Sequence, residues 1–562
     1  MLFPIMKLLR ALLPVLLVTA GWMAYRNSLQ APFIFDDFAA IVENPNIRHL
    51  HSLRTTLSTS PAFPDILNHR LVVALSLAVN YSLGGMEVRG YHLFNLFVHL
   101  AAGLVLYGLI RRTLLTPALR GRYESTAPGI AWAAALLWIV HPLQTQTVTC
   151  VIRRSEGLMA LFYFLTLYGV LRHATASRGS GWGILSVLFC CLGMATKQVM
   201  LTAPIAALLY DRTYLGGSFR KIFSSRWKLY AGLAASWGVL GFLVAVNPPI
   251  KSAGFSFPEL SFTRNLLTQP GVLLHHLRLA VWPYPLVLDY NWPTARTLSE
   301  AGAAPWVLLG LLALGIWVLR RAPRVGFPAF FAFLVLVPTS LIPMPSEIAA
   351  EHRMYLPLAG LATLAATGGH HLLRRRTAWA TGILGVTALL FGTLTVLRNE
   401  EYTDPLRLWA QTAAVQPRNS RVLNNLGAEL MRAGRLKEAG AVLRHSAAAA
   451  PPDDDFPYVN QALIFVMIGH PEEAISLCRE ALRRKPDSAG GYYVLAKAYH
   501  LQGRLEEALA AADESLRLNT YSARTHTLRR VILQKLGRNQ EALEEYREAL
   551  WFDSDTTPLS TD

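Results

Sequence analysis

Long apolar runs separated by short basic clusters fill roughly the first four hundred residues, and a shorter repeating polar–apolar pattern fills the remainder. An apolar run following Lys7 and Arg10 extends to about Tyr25 and reads as a retained first membrane helix. Further runs lie near 91–110, 127–144, 157–172, 181–196, 199–211, 229–246, 303–320, 326–343, 354–372 and 378–397. Several approach the roughly 20 residues that a helix needs to cross a bilayer, and 199–211 is short. The segments 64–83 and 268–288 read as re-entrant or interfacial helices. The first ends in a Gly-Gly turn, and the second carries His275, His276, Arg278 and prolines. The pattern predicts an all-α chain: a polytopic membrane domain of about eleven transmembrane helices over 1–400, then a connecting segment over 401–416.

From about 417 the chain repeats at intervals of 34 to 35 residues. The repeated turn reads Gly434-Arg-Leu-Lys-Glu-Ala439, Gly469-His-Pro-Glu-Glu-Ala474, Gly503-Arg-Leu-Glu-Glu-Ala508 and Gly537-Arg-Asn-Gln-Glu-Ala542. A glycine for the tight inter-helix turn and a small alanine where paired helices meet form the tetratricopeptide signature. Stacked pairs make a superhelix whose concave face suits an extended peptide. The repeats are expected over 417–553, with a tail at 554–562.

Charge sets the orientation. Arg111, Arg112, Arg120 and Arg122 form one cluster, and Arg172 and Arg178 another. Arg220, Lys221, Arg226 and Lys228 follow, then Arg320, Arg321 and Arg324, then Arg374, Arg375 and Arg376. With eleven spans every cluster falls on the side of the N-terminus, which the positive-inside rule makes cytoplasmic. The protein is therefore expected to be a multi-pass integral membrane protein, of a bacterial inner membrane type, with extracytoplasmic repeats. A chain that is 52% hydrophobic and 16% charged is too apolar for an ordinary soluble enzyme. Its net charge of +17 sits mainly in those loop clusters, which argues for anionic lipid and against nucleic acid. Four cysteines supply neither a disulfide framework nor metal-ligand spacing.

The topology gathers several polar stretches on the outer face. These are Asp36-Asp37 within Phe33-Ile-Phe-Asp-Asp-Phe, His141-Pro-Leu-Gln-Thr-Gln146 with Arg153-Arg154, Thr196-Lys-Gln198, the 247–302 loop, and Ser346 to Arg353. Neighbouring side chains diverge in a strand or turn, so one carboxylate of the Asp36-Asp37 pair can face a site while the scaffold holds the other. Hydrophilic groups at the edge of a membrane domain are functional suspects. Lys197 suits a lipid phosphate or a snorkelling anchor. Arg353 can hold a phosphate bidentately with His352 donating to it, or Glu351 and Arg353 can simply fix a helix end. His141 before Pro142 reads as a helix terminus. Arg153 and Arg154 break the charge trend, which favours phosphate binding. His92, Asn95 and His99 share one helix face and read as a polar packing seam.

FIFDDFAAIVENPNI, GYHLFNLFVHL, WIVHPLQTQTVTCVIRRSEGLMALFYFL, MATKQVMLTAPIAALLYD, PMPSEIAAEHRMYLPLAGL and the repeats, in this order, resemble the GT-C glycosyltransferases. Within them, the chain is similar to the transmembrane and tetratricopeptide repeat O-mannosyltransferase family and its bacterial relatives. The resemblance implies a polyprenyl-phosphate-linked sugar donor, a catalytic acidic pair at Asp36 and Asp37, and an inverting transfer to a hydroxyl acceptor, a protein Ser or Thr presented by the repeats. Donor phosphate contacts would fall to Arg353, His352, Lys197, Arg154 and Arg153, with His141, Gln146, Gln198 and Glu351 as further site candidates. The chain departs from the family pattern at Gln146 and Gln198, where Glu is common. Metal use stays open: a divalent cation prefers carboxylates, but no acidic cluster is large enough for a dedicated cage. The competing expectation is a non-catalytic membrane-anchored repeat scaffold for envelope assembly.

Overall fold

The computed structural model describes residues 2–48, 67, 70–177, 179–246, 254, 257 and 260–552. Arg178, the tail 554–562 and parts of 64–83 and 247–302 lie outside these residues. Every regular element among the described residues is helical, as the patterning predicts. Each of the eleven apolar runs contains helix. Among the described residues, six helices are long and apolar enough to cross a membrane: Val88–Leu114, Val151–Thr175, Phe219–Val246, Ala304–Arg321, Pro323–Leu341 and Thr377–Tyr402.

The difference between eleven runs and six long helices has a local cause. Polar and proline residues interrupt several of the other runs, while the first forms the continuous helix Leu2–Tyr25. Pro142 restricts the residue before it, so the 127–144 run yields only the helix Ala127–Ile139. Thirteen residues rise about 20 Å, short of the roughly 30 Å hydrocarbon core. The run 199–211 divides into a 3₁₀ turn at Gln198–Thr202 and a helix at Ala203–Asp211. The 64–83 and 268–288 segments yield the helices Leu71–Gly84 and Phe262–Val281.

The first helix, Leu2–Tyr25, packs with Val88–Leu114 and Ala127–Ile139 around buried Leu17, Tyr25, Ala102 and Trp138. Gly103 permits the close approach, because a Cβ there would lie 2.4 Å from Ile139. His92, Asn95 and His99 tie this layer together as a polar seam: they bond the carbonyls of Ala31, of Val148 and Val151, and of Ile139, respectively. The breaks between helices gather at one end of this bundle. The turns Pro142–Gln144, Thr145–Thr149 and Val151–Arg153 lead into the helix Arg154–Thr175. The 3₁₀ turns Pro345–Glu347 and Glu351–Met354 come in beside them.

Four helix pairs span Ser420 to Phe552, each closed by a turn glycine with φ between 72° and 79°, a conformation that strains any residue with a Cβ. Ala439, Ala474, Ala508 and Ala542 are buried where the paired helices meet. The superhelix rests on the loop that follows the first helix. Arg432 stacks on Phe38, Arg421 lies over Phe35, and Arg48 donates to the Phe552 carbonyl. Enlarging the contact alanine in Ala474→Leu should overpack this pair and lower stability by roughly 1–3 kcal/mol. Thermal unfolding of the purified full chain checks this.

Candidate active site

The loop after the first helix turns sharply at Phe35, a non-glycine residue at φ 50°. Such a backbone costs on the order of 1–3 kcal/mol and persists only where its surroundings impose it. Phe35 packs edge-on against Trp409, with ring centroids 5.7 Å apart. The turn sends Asp36 and Asp37 to different places. Asp37 is fully buried and accepts backbone N–H groups from Ile34, Val151 and Ile152 at 3.2, 3.3 and 2.7 Å. The Cys150 thiol adds a fourth donor at 3.7 Å. Asp37 thereby staples the loop to the turn that starts the Arg154–Thr175 helix. Burial pushes its pKa up to about 6 against those amide bonds, which leaves it ionised at pH 7.

Asp36 points the other way and stays partly exposed, with its side chain at 30%. The Arg153 guanidinium reaches it at 2.9 Å and Glu347 at 2.5 Å through the same nitrogen, bridging the two carboxylates. Arg153 also donates to His352 Nε2 at 3.4 Å. His352 Nδ1 lies 3.1 Å from Gln146 Oε1, which also accepts the His352 backbone N–H at 2.9 Å. An amide oxygen on one ring nitrogen and a guanidinium on the other fix His352 as a neutral imidazole protonated at Nδ1. Burial, with Arg153 beside it, holds its pKa well below the usual range. Lys197 donates to Glu156, whose carboxylate lies 3.6 Å from His352 Nε2.

The two carboxylates on Arg153 are set apart electrostatically. Burial raises the Asp36 pKa, with Arg153 opposing and Glu347 reinforcing the shift. Burial also opposes ionisation of Glu347, but Arg153, His352 and Arg353 outweigh it and hold that carboxyl well below its ordinary value. Carboxylates pushed apart in this way divide into a proton acceptor and a fixed anion. Lys197 has its pKa lowered to about 8, chiefly by burial, with Glu156 pulling the other way.

The structure therefore gathers Asp36, Gln146, Arg153, Lys197 and His352. Other expected site residues have different partners. Arg154 turns away to Asn80 at 2.7 Å and Ser76 at 3.2 Å and stacks on Phe94. Arg353 is close to the cluster, but its guanidinium bonds the carbonyls of Thr339, Glu347 and Ile348. Glu351 accepts from the Val287 amide and the Tyr290 hydroxyl at 2.7 and 2.8 Å and anchors that loop. His141 bonds the Ala280 carbonyl and accepts the Leu143 amide, as a helix terminus would. Gln198 is half-buried at the start of its 3₁₀ turn.

Glu156 and Arg70 belong to the cluster without having been singled out in the sequence. Glu156 stands one helical turn after Arg153, a spacing that could have signalled it. Arg70 lies just before the Leu71–Gly84 helix, and the Val72 amide, two residues along, bonds the Ala195 carbonyl near Lys197. Its charge interacts with Asp36, Glu156, Glu347 and Arg153, and its buried Nε has no hydrogen-bond partner among the described residues. Arg70, Arg153, Lys197 and Arg353 set four cations against the four carboxylates of Asp36, Asp37, Glu156 and Glu347. Among the described residues no three His, Cys, Asp or Glu side chains are grouped to hold a metal ion. Between Asp36 and Glu347, where a hard cation would sit, the Arg153 guanidinium already bridges.

The two aspartates should separate experimentally. Asp37→Asn sets an amide N–H against backbone donors and should cost about 1–3 kcal/mol of stability. Asp36→Asn keeps the Arg153–Glu347 pair and should melt close to the parent. Thermal unfolding at pH 7 compares them, and equal losses would contradict the separation.

Comparison with known proteins extends this picture. The tetratricopeptide repeat family matches residues 394–454 and 459–523. The chain is 24% identical to Protein O-mannosyl-transferase Tmtc1 of Drosophila melanogaster over 77% of its length and 60% of that protein. It is 25% identical to Protein O-mannosyl-transferase TMTC4 of Homo sapiens over 73% of its length and 62% of that protein. Protein O-mannosyl-transferase F38B6.6 of Caenorhabditis elegans is 24% identical, with 76% and 61% covered. The chain thus spans about 60% of the length of these three relatives. Among solved structures, MamA 41-end from Desulfovibrio magneticus RS-1 is 18% identical over 28% of this chain and 88% of its own, with a TM-score of 0.23. Over most of its length the chain is similar to proteins named as protein O-mannosyl-transferases, and it carries tetratricopeptide repeats towards its C-terminus.

Proposed function

We propose that the protein is a membrane-embedded glycosyltransferase that moves a sugar from a polyprenyl-phosphate donor to a hydroxyl of a protein acceptor, with inversion, on the extracytoplasmic side. The observation that carries the reading is the Asp36–Arg153–Glu347 bridge: a partly exposed carboxylate, raised in pKa, beside the buried cations Arg153 and Lys197.

Asp36 is the general base. The acceptor oxygen attacks the anomeric carbon as its proton passes to the Asp36 carboxylate, and the bond from that carbon to the phosphate oxygen breaks. The electron pair leaves with the lipid phosphate. Arg153 and Glu347 orient Asp36, and Asp37 fixes the loop that carries it. Lys197 and Arg70 stabilise the charge growing on the departing phosphate. Arg353 acts on the cluster as a structural clamp, and Arg154 stands outside the reaction. The repeats present the acceptor, a role supported by their contacts with the loop bearing Asp36.

Two outcomes follow. Asp36→Asn should lower transfer of labelled sugar from polyprenyl-phosphate mannose to a Ser/Thr peptide by about 10²–10⁴-fold while the protein stays folded. Full activity in that variant would remove the assignment. The rate should also fall on the alkaline side near pH 8, as Lys197 loses its proton. Lys197→Arg should move that limb upward, because a guanidinium keeps its charge. A pH–rate profile of both proteins checks the shift.

A further inference from the structure

At the opposite end of the bundle the helices part around a cavity of about 900 Å³. The helices themselves show the separation. Arg154–Thr175 starts beside the Asp36 cluster and turns Phe164 and Leu167 into this cavity. Pro323–Leu341 begins at the cavity with Arg324 and ends near the Thr339 carbonyl that holds Arg353. The rise along these helices between the residues named places the two sites roughly 20 Å apart.

The walls are apolar, with Ile110, Leu167, Phe327 and Phe331 among them, and five arginines line the cavity: Arg122, Arg212, Arg320, Arg321 and Arg324. No acidic side chain is among the lining residues. The nearest carboxylate in sequence, Asp211, is already bound by Arg226 and by the Tyr230 hydroxyl. All five arginines are exposed, so the apolar walls carry a solvated basic edge that an anion can reach. A cavity of this size is in the range that holds a ligand, and a basic pocket between membrane helices fits a phosphate headgroup above an apolar chain.

We infer that this cavity is a binding site for an anionic diacyl phospholipid, with the phosphate among Arg320, Arg321 and Arg324 and an acyl chain along the aromatic wall. The site is independent of the transfer chemistry proposed above. It would couple the stability of the bundle to the anionic lipid content of one leaflet.

Native mass spectrometry of the full chain in detergent, with added phosphatidylglycerol, tests the site. The parent should retain one phosphatidylglycerol, and Arg320→Gln/Arg321→Gln/Arg324→Gln should bind it about hundredfold more weakly. Arg374→Gln/Arg375→Gln/Arg376→Gln removes equal charge at residues that do not line the cavity and should bind like the parent. Thr367→Trp, which fills the slot and leaves the arginines in place, should also lose the lipid, so the test survives a folding defect in the first variant. Equal retention by all four proteins would overturn the site. So would equal binding of phosphatidylcholine, or displacement of the lipid by inorganic phosphate alone. Tighter binding of undecaprenyl phosphate would overturn the diacyl assignment.

Discussion

Asp37 ties the loop after the first helix to the amides of Val151 and Ile152, at the turn from which Arg153 projects. With that carboxylate buried and fully engaged, the turn at Phe35 leaves its neighbour only the opposite direction, toward the Arg153 guanidinium. Arg153 then draws in Glu347 and His352, and through His352 the Gln146 side chain and the Glu156–Lys197 pair. Residues from five separate stretches of chain thus share one electrostatic cluster. Removing Arg153, which two carboxylates share, would leave Asp36 and Glu347 without their common counter-charge.

The same arrangement explains how a membrane protein can hold so many charges near its core. The cluster sits where the helices break, at turns whose free backbone groups supply hydrogen bonds. Arg353 makes use of this directly, by bonding three carbonyls of the neighbouring chain. Gln146 carries a further consequence. Burial and Arg153 hold His352 neutral because the Gln146 amide adds no charge to oppose them, whereas a carboxylate at that position would draw a proton onto the imidazole. The cluster in this chain therefore has its charge set by lysine and arginine rather than by histidine.

Much of this was legible in the sequence, and what was missed has physical causes. The repeats announced themselves because glycine and alanine recur where the turn and the helix contact demand them. The divergence of Asp36 and Asp37 followed from backbone geometry alone. The partition between Arg153 and Arg154 did not: adjacent residues at a helix start point about 100° apart, and only the packing of Asn80 and Phe94 decides which one faces the site. Glu351 looked like a site residue but serves a loop some sixty residues away in sequence. The membership of Arg70 depends on the long-range contact between Val72 and Ala195. The apolar runs marked the helices well, but their lengths were cut by Pro142 and Lys197, which the same polar breaks turn into the walls of the site.

The central claim is a division of labour, with Asp36 acting on the acceptor and Lys197 with Arg70 acting on the donor phosphate. Equilibrium binding of a fluorescent polyprenyl-phosphate mannose to the purified protein tests it most directly, because binding needs no turnover. The account predicts that Asp36→Asn binds the donor within about threefold of the parent, while Lys197→Gln/Arg70→Gln weakens it at least tenfold, as the loss of charge-assisted hydrogen bonds requires. Donor affinity lost in Asp36→Asn but preserved in Lys197→Gln/Arg70→Gln would contradict it.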